Sequence, residues 1–489
     1  MKKTALLTIF LFLSLVMLTA CSRLTADSLI AGSVVKIYTE SDAFSYAAPW
    51  RLDSPDSATG SGCIIAGRRI LTNAHVVADA MFIQVKRAGA KDKFQAEVEI
   101  IAHECDLAVL RVKDEAFFAG ARPLDVGSLV ALRDRVTVYG FPMGGEEMSM
   151  TEGIVSRVEV HSYAHSRARL LCGQIDAAIN AGNSGGPVVK DGRIVGVAFQ
   201  AGRGENISYM VPSPVVRHFL KDIEDGKYDG IPSLEISWQR MENPDLRAKF
   251  GLEAGRSGVL VNKVYPGSPA DGLLQRGDVI LSVGDRAVAN DGTIEFRRDE
   301  RTLFDQRVQE FFIGETVRLE VLRSGKVLAF PVKLTVQVNA TRLVPHFQYD
   351  VQPAYFIVGG LVFQRLTANY IDLWGEEGPT PVMGVYYLYG EPSFGRRNII
   401  VISSILADDV NVGYQDLSDA IIVKANGNDL STLSDLVEAV EKNAQPFHVF
   451  TTEQGVEIVL SREKARERHS LILERYKVDS DRSPDLKAR

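Results

Sequence analysis

Between residues 28 and 220 the chain alternates short β-branched apolar runs with Gly, Asn and Asp breaks: SVVKIYT, GCIIAG, RILTNA, MFIQVK, AEVEIIA, LAVLRV, RVTVYGF, GIVSRVEV, PVVKDGRIVGVAF and ISYMVP. Runs of this length and spacing predict many short strands, and so an all-β sandwich or barrel. The segment closes on a short helix, with Ser213 as N-cap, Pro214 as first helical residue, and Val216, Phe219 and Leu220 on one face. EDGKYDGIP, rich in glycine and charge, reads as a linker. A second pattern follows over residues 231–338. GVLVNKVYPGSPADG and QRGDVILSVGDRAVAND precede a helical stretch near 300–312. TVRLEVLRSGKVLAFPVKL then predicts a hairpin turning at Arg323-Ser324-Gly325-Lys326. Residues 345–475 echo that unit: IVGGLVF parallels SGVLV, and AIIVKANGNDL parallels DVILSVGDRAV. STLSDLVEAVEKN predicts a helix capped by Ser431, with Leu433, Leu436, Val437 and Val440 on one face. From about 476 the chain is polar and charged and is expected to fray.

The 489 residues make room for about three domains at roughly 150 residues each. With a net charge of −7 and no dominant basic patch, nucleic acid is excluded as an expected partner. The N-terminus changes the picture more. Lys2 and Lys3 precede an apolar run over residues 4–18, too short for the ~20 residues a spanning helix needs, so residues 1–20 read as a signal peptide. The run ends in Leu18-Thr19-Ala20-Cys21, which resembles the lipobox of bacterial lipoproteins; the alternative is a plain signal peptide with a chance cysteine. Acylated Cys21 followed by a tether over 21–29 would hold the protein on a membrane face by its lipid alone. The reading places it in a bacterial cell envelope, exported, on the periplasmic or outer face. Cys63, Cys105 and Cys172 are odd in number and lie in apolar stretches, which suggests buried free thiols, although export permits a disulfide. No C-x-x-C, H-E-x-x-H or phosphate-binding loop occurs, so no metal, cofactor or nucleotide is expected; His161 and His165 in HSYAH lie in a polar stretch with no nearby Cys.

GNSGGP at 182–187 carries the strongest chemical signal. A serine hydroxyl needs a base and an oxyanion site to act as a nucleophile. Flanking glycines let successive backbone N–H groups converge on one spot. Ser184 would attack, with Gly182, Asn183 and Ser184 supplying amides; the bland alternative is a glycine-rich turn. TNAHVV supplies a base in His75, 109 residues earlier, where a lone histidine could be structural. Asp106 in ECDLAVL, just ahead of an apolar run, supplies a carboxylate to orient the imidazole. The order His, Asp, Ser is that of chymotrypsin-type proteases.

GSGCII, LTNAHVV, CDLAVL, GFPMGG, TEGIVS, IDAAINAGNSGGP and ISYMVPSPVV together resemble the HtrA/DegP serine proteases. ENPDLRAKFGL, ANDGTIEFRRDER, PAYFIVGGLVF and NVGY are similar to the plant-type Deg branch, whose second PDZ domain is atypical. The resemblance runs from about residue 30 to 475, and only the lipoprotein-like N-terminus departs from the organelle transit peptides of that branch. It implies a mainly β protein: a chymotrypsin-like double β-barrel over 30–228, an α+β PDZ domain over 231–338, an atypical one over 339–475, and a polar tail over 476–489. By motif it carries His75, Asp106 and Ser184 over as the triad. Ala178, six before the serine, is not acidic, which argues against cleavage after Lys or Arg. Ala198 and Phe199 are expected in the pocket wall, Asp176 is read as structural, and the family implies cleavage after small or medium aliphatic residues of unfolded chains. A peptide C-terminus can be held by backbone amides while its strand extends a sheet. Ser257, Gly258, Val259, Leu260 and Val261 are the candidate loop and strand in the first PDZ domain, and Gly359, Gly360, Leu361, Val362 and Phe363 in the second; either loop could instead be structural or serve assembly. Homotrimers or multiples are implied, with Tyr38, Phe44, Tyr46 and Trp50 as candidate contacts, or else as ordinary core or surface residues. Residues 160–170, with Arg167 and Arg169, are a candidate relay loop. The expected activity is ATP-independent quality-control proteolysis. The alternatives are a mostly latent protease acting as chaperone or peptide-sensing scaffold, and regulated cleavage of one signalling protein.

Overall fold

The computed structural model describes residues 28–143, 145–201, 207–375 and 378–487. Residues 1–27, where the signal peptide and the Cys21 lipid site are expected, lie outside them. The described residues divide into two compact units, one from residues 28–41 and 56–231, the other from residues 42–55 and 232–487.

The first unit contains two closed six-stranded antiparallel barrels. The first barrel is built from β1 (Val34–Ser41), β2 (Asp56–Ile65), β3 (Arg69–Thr72), β4 (Ala80–Arg87), β5 (Phe94–Ala102) and β6 (Leu107–Val112), with the single-turn helix α1 (Ala74–Val77) after β3. The second is built from β7 (Arg135–Gly140), β8 (Ser149–Ser162), β9 (Arg169–Ile175), β10 (Pro187–Lys190), β11 (Arg193–Ala201) and β12 (Ser208–Pro212), followed by α2 (Ser213–Asp222). Closure leaves neither sheet an unpaired edge. The β-branched runs fill the interiors: Val35, Ile37, Ile64, Ile70, Val85, Ala108 and Leu110 share one buried cluster. The cap of α2 falls on Pro212, one residue before the expected Ser213.

In the second unit, β13 (Ile236–Arg240) and the short helix α3 (Pro244–Lys249) precede β14 (Val259–Val264), β15 (Val279–Val283) and β16 (Arg286–Ala287). Then come β17 (Thr293–Arg297), β18 (Glu300–Leu303), α4 (Asp305–Val308), β19 (Thr316–Arg323) and β20 (Lys326–Lys333). The main sheet runs β13-β14-β15-β19-β20. Ser324 and Gly325 turn the last hairpin with φ of 49° and 78°, as the Arg323–Lys326 reading expects. The helix expected near 300–312 shrinks to the single turn α4, because Thr293–Arg297 and Glu300–Leu303 pair as a ribbon.

The echo is built from β21 (Tyr355–Val358), β22 (Leu361–Arg365), α5 (Ala368–Asp372), α6 (Pro381–Tyr389), β23 (Ile400–Ile405), β24 (Ile421–Ala425), β25 (Asn428–Asp429), α7 (Leu433–Glu441), β26 (Phe447–Thr452), β27 (Glu457–Ser461) and α8 (Arg462–Tyr476). Thr432, not Ser431, caps α7: its hydroxyl accepts from Asp435 N, and Asp435 Oδ2 accepts from Thr432 N, closing a capping box. Leu433, Leu436, Val437 and Val440 face the core as the period requires. Tyr46 is buried in this unit, where its carbonyl accepts from Gln364 Nε2 at 2.9 Å, and Trp50 stands edge-on to Tyr355. Of the candidate subunit contacts, these two are therefore packed within the chain.

Among the described residues the tail does not fray. Arg482 forms an antiparallel bridge with Phe356, Ile357 N donates to Asp481 O at 2.7 Å, and Ser483 N donates to Tyr355 O at 3.0 Å. The Arg482 guanidinium lies over the Phe356 ring and reaches Glu441 on α7 at 2.6 Å. Leu486 packs against the α7 core. The backbone amides that an edge strand would leave open are thus satisfied by residues 480–483. Deleting residues 479–489 is expected to remove the hydrogen-exchange protection of the Ile357 amide and to lower the melting temperature. Unchanged protection would show that the edge is held by something else.

Candidate active site

Residues 103–106 link β5 to β6 and end in Asp106, which is 1% exposed and held at a φ of 52°. That left-handed conformation is tolerated best by Asp and Asn among side-chain-bearing residues. It turns the carboxylate toward the start of α1. There Oδ1 accepts from His75 N at 2.9 Å, while His75 Nδ1 lies 2.8 Å from Oδ2 and 3.0 Å from Oδ1. Asn73 Nδ2 donates to the Asp106 carbonyl at 2.7 Å, so the two loops are tied by backbone and side chain together.

The ion pair sets the protonation of both groups. Burial works against the charged imidazole, but the Asp106 charge and hydrogen bond hold His75 above its ordinary value. Burial alone would raise Asp106; the His75 charge and hydrogen bond, with a contribution from His165, hold it below. The raised His75 value adds stability that is full below the unfolded imidazole value and is lost as pH climbs through the folded one. The depressed Asp106 value adds stability present above the unfolded carboxyl value and lost as pH falls through the folded one. Together they stabilise most between about pH 4 and 6.5. A base must be unprotonated to act, so activity is expected to rise with pH through a midpoint above the ordinary imidazole value, read from kcat/KM against pH.

Ser184 sits in a loop that admits only glycine two positions before it and one after it. Gly182 has φ of 95°, and a Cβ there would strike the Phe141 carbonyl; Gly185 has φ of 83°, and a Cβ there would strike Ser61 O and Thr72 Oγ1. That second approach presses the serine loop against the strand end that carries His75. Ser61 fastens it further: its amide donates to Ser184 O at 2.8 Å and its hydroxyl to Gly182 O at 2.7 Å. Gly185 N donates to Ala198 O and Ala198 N to Gly186 O, which places β11 beside the loop. The Ser184 hydroxyl donates to Phe199 O at 3.4 Å rather than to the imidazole.

The Gly182 and Ser184 amides have no acceptor among the described residues. Asn183 differs from expectation: its N–H is committed to Asn180 O at 3.0 Å, because the loop closes a tight turn there, and so it is not a donor for an oxyanion in this conformation. Ala178 is exposed, Ala198 and Phe199 are buried, and Phe199 packs on Tyr163 with ring centroids 4.6 Å apart. Asp176 Oδ1 accepts from Ile154 N at 2.5 Å, a structural tie between β8 and the end of β9. Cys63, Cys105 and Cys172 are buried free thiols. Burial pushes the Cys63 thiol up to about 12.

The candidate peptide segments lie elsewhere in their sheets than the sequence suggested. β14 is paired with β13 on one side and β15 on the other, so Val259, Leu260 and Val261 have no open edge. Gly258 N already donates to Asn290 Oδ1, and the Ser257 hydroxyl to Val288 O. Strand addition is therefore excluded at Ser257–Val261; the strands at the two ends of the sheet order are β13, next to β14, and β20. Likewise Leu361, Val362 and Phe363 pair with β21 and with β23, while Gly359 and Gly360 make the tight turn between β21 and β22. Which strand is outermost depends on non-local pairing, which a loop motif does not encode.

The trypsin-like peptidase domain family matches residues 60–197, and PDZ domain families match 236–334 and 344–485. "Protease Do-like 4, mitochondrial" of Arabidopsis thaliana is 39% identical over 465 residues, covering 94% of this chain and 87% of that protein. "Protease Do-like 2, chloroplastic" of the same plant is 39% identical over 469 residues, covering 94% and 76%. Among solved structures, the HtrA-type protease AlgW with tripeptide aligns with a TM-score of 0.50 at 26% identity, covering 63% of this chain and 95% of that one. Among the described residues no helix is long and apolar enough to cross a membrane. With a trypsin-like domain of two closed barrels, two PDZ domains following it in sequence, and these relatives along nearly the whole chain, the chain belongs to the Do-like, HtrA-type family of trypsin-like serine proteases.

Proposed function

We propose that the chain is an ATP-independent endopeptidase that removes unfolded or damaged proteins of the cell envelope by acyl-enzyme chemistry. Ser184 attacks the scissile carbonyl, His75 takes its proton and later returns it to the leaving amine, and Asp106 holds the tautomer and the resulting imidazolium. The Gly182 and Ser184 amides receive the oxyanion. The single observation that supports this reading is the bidentate seat of His75 on buried Asp106, at 2.8 and 3.0 Å, beside the glycine-framed serine loop. Ala198 and Phe199, with no acid at Ala178, favour a small or medium aliphatic residue before the cut. The outer strand β13 is the place where an extended peptide C-terminus would add to the first PDZ domain. Assembly as a homotrimer or a multiple of it, and export with a lipid on Cys21, complete the proposal; the last rests on the N-terminal sequence alone.

Incubating the protein with unfolded casein and with a folded substrate, with and without ATP, tests it. The expected result is nucleotide-independent cleavage of the unfolded chain after Ala, Val or similar residues. Cleavage confined to Lys or Arg sites, or dependence on ATP, would overturn it. One observation favours a second reading, a latent protease serving as scaffold or chaperone: the Ser184 hydroxyl points to Phe199 O and not to the base. Failure of a fluorophosphonate probe to label Ser184 at any pH, with holdase activity retained, would select that reading.

A further inference from the structure

Two imidazoles outside the proposed triad stand next to it. His165, 9% exposed, lies on the loop between β8 and β9, and its ring centroid is 6.1 Å from that of His75. Its Nε2 is 3.0 Å from Nδ1 of His103, three residues before Asp106 in the same turn. Such a contact requires one ring nitrogen to donate and the other to accept, so the two tautomers are mutually fixed. The loop is seated at other points as well. Ser166 Oγ donates to Glu104 O at 2.8 Å, and Ala164 N to Gln200 Oε1 at 2.7 Å. Tyr163, fully buried, donates its hydroxyl to Leu171 O at 2.6 Å and packs against Phe199.

We propose that His165, held by His103, is a positioning residue of the proteolytic centre: it backs the His75–Asp106 couple and makes the β8–β9 loop a working part of the site. This rests on the triad assigned above. The physical case is that Asp106 has its carboxylate in a dry setting, where orientation and nearby dipoles count more than in water. From β6 and α1 the groups facing that carboxylate are the His75 amide and ring. From the β8–β9 loop it is His165, whose electrostatic pull on Asp106 adds to that of His75. Within the turn, His103 and Glu104 precede it in the chain; Glu104 is half-buried, raised by desolvation, and its carboxyl is bonded to Tyr228 and Ile231 N. Tyr163 on the same loop touches the Phe199 ring, whose backbone receives the Ser184 hydroxyl. Movement of the loop would therefore disturb the base and the pocket wall together.

Side-chain chemistry supplies a clean test. An asparagine amide can replace Nδ1 of histidine and a glutamine amide can replace Nε2, so His103→Asn and His165→Gln retain a hydrogen bond that His103→Ala and His165→Ala lose. Steady-state cleavage of a fluorogenic peptide is measured for all four full-length variants, with melting temperature alongside. The alanine variants are expected to lose 10- to 100-fold in kcat with KM changed less than threefold, and the amide variants to recover to within about fivefold of the parent. Should His165→Ala fail to fold, the comparison of His103→Ala with His103→Asn, at the more exposed partner, carries the test. Folded alanine variants with unaltered kcat, or loss confined to KM, would overturn the proposal. Ser184→Ala run in parallel separates the two levels: if it remains active the triad itself fails, whereas a dead Ser184→Ala beside fully active histidine variants removes only the role of the pair.

Discussion

Ser184→Ala is expected to lower kcat/KM on casein or a fluorogenic peptide by about 10⁶-fold while leaving the melting temperature and assembly mass unchanged. The size follows from what the hydroxyl does. With no nucleophile, His75 has nothing to deprotonate and no acyl-enzyme forms; binding and the amide pocket alone leave a residual rate. The fold should not notice the change. The framework of that loop is backbone: Ser61 N to Ser184 O, Gly185 N to Ala198 O and Gly186 N to Asn183 O all survive, and the lost side-chain bond to Phe199 O is long, at 3.4 Å. Fluorophosphonate labelling should disappear in parallel. Cleavage retained within tenfold, in protein freed of contaminating proteases by active-site titration, would remove Ser184 from the chemistry.

Asp106→Asn is expected to cost about 10⁴-fold in kcat at neutral pH. The carboxylate accepts from both His75 N and Nδ1, and an amide offers one acceptor where two are used. If the amide oxygen keeps the backbone bond, its NH₂ faces Nδ1 and forces the proton onto Nε2, the nitrogen that must act as base. The acid limb of the pH profile should also move down, because the charge that holds His75 above its ordinary value is gone. Stability should fall by roughly 1–3 kcal/mol, because a charge-assisted hydrogen bond is exchanged for a neutral one. An activity within tenfold of the parent, or an acid limb that stays in place, would show that Asp106 does not orient the imidazole.

Sequence and structure each contributed a different kind of information. TNAH, ECDL and GNSGGP could be read directly because each is a local solution to a local demand: a base at a strand end, a carboxylate in a turn, and glycines where a Cβ would strike Phe141 O or Ser61 O. The barrel strands were likewise visible in their β-branched period, and the α7 face in its spacing. Peptide edges were not. GVLV and GLVF look alike as strings whether they lie inside a sheet or at its rim. Only the pairing of β14 with β13 and of β22 with β21 makes them interior strands. The tail misled for the same reason. A polar composition over 480–486 looks unfolded until Tyr355, Phe356 and Ile357 offer it an open strand edge. The His103–His165 bond depends on where distant segments meet. Chemistry carried by neighbouring residues is written along the chain, whereas open edges and touching rings arise only when segments far apart are folded against one another.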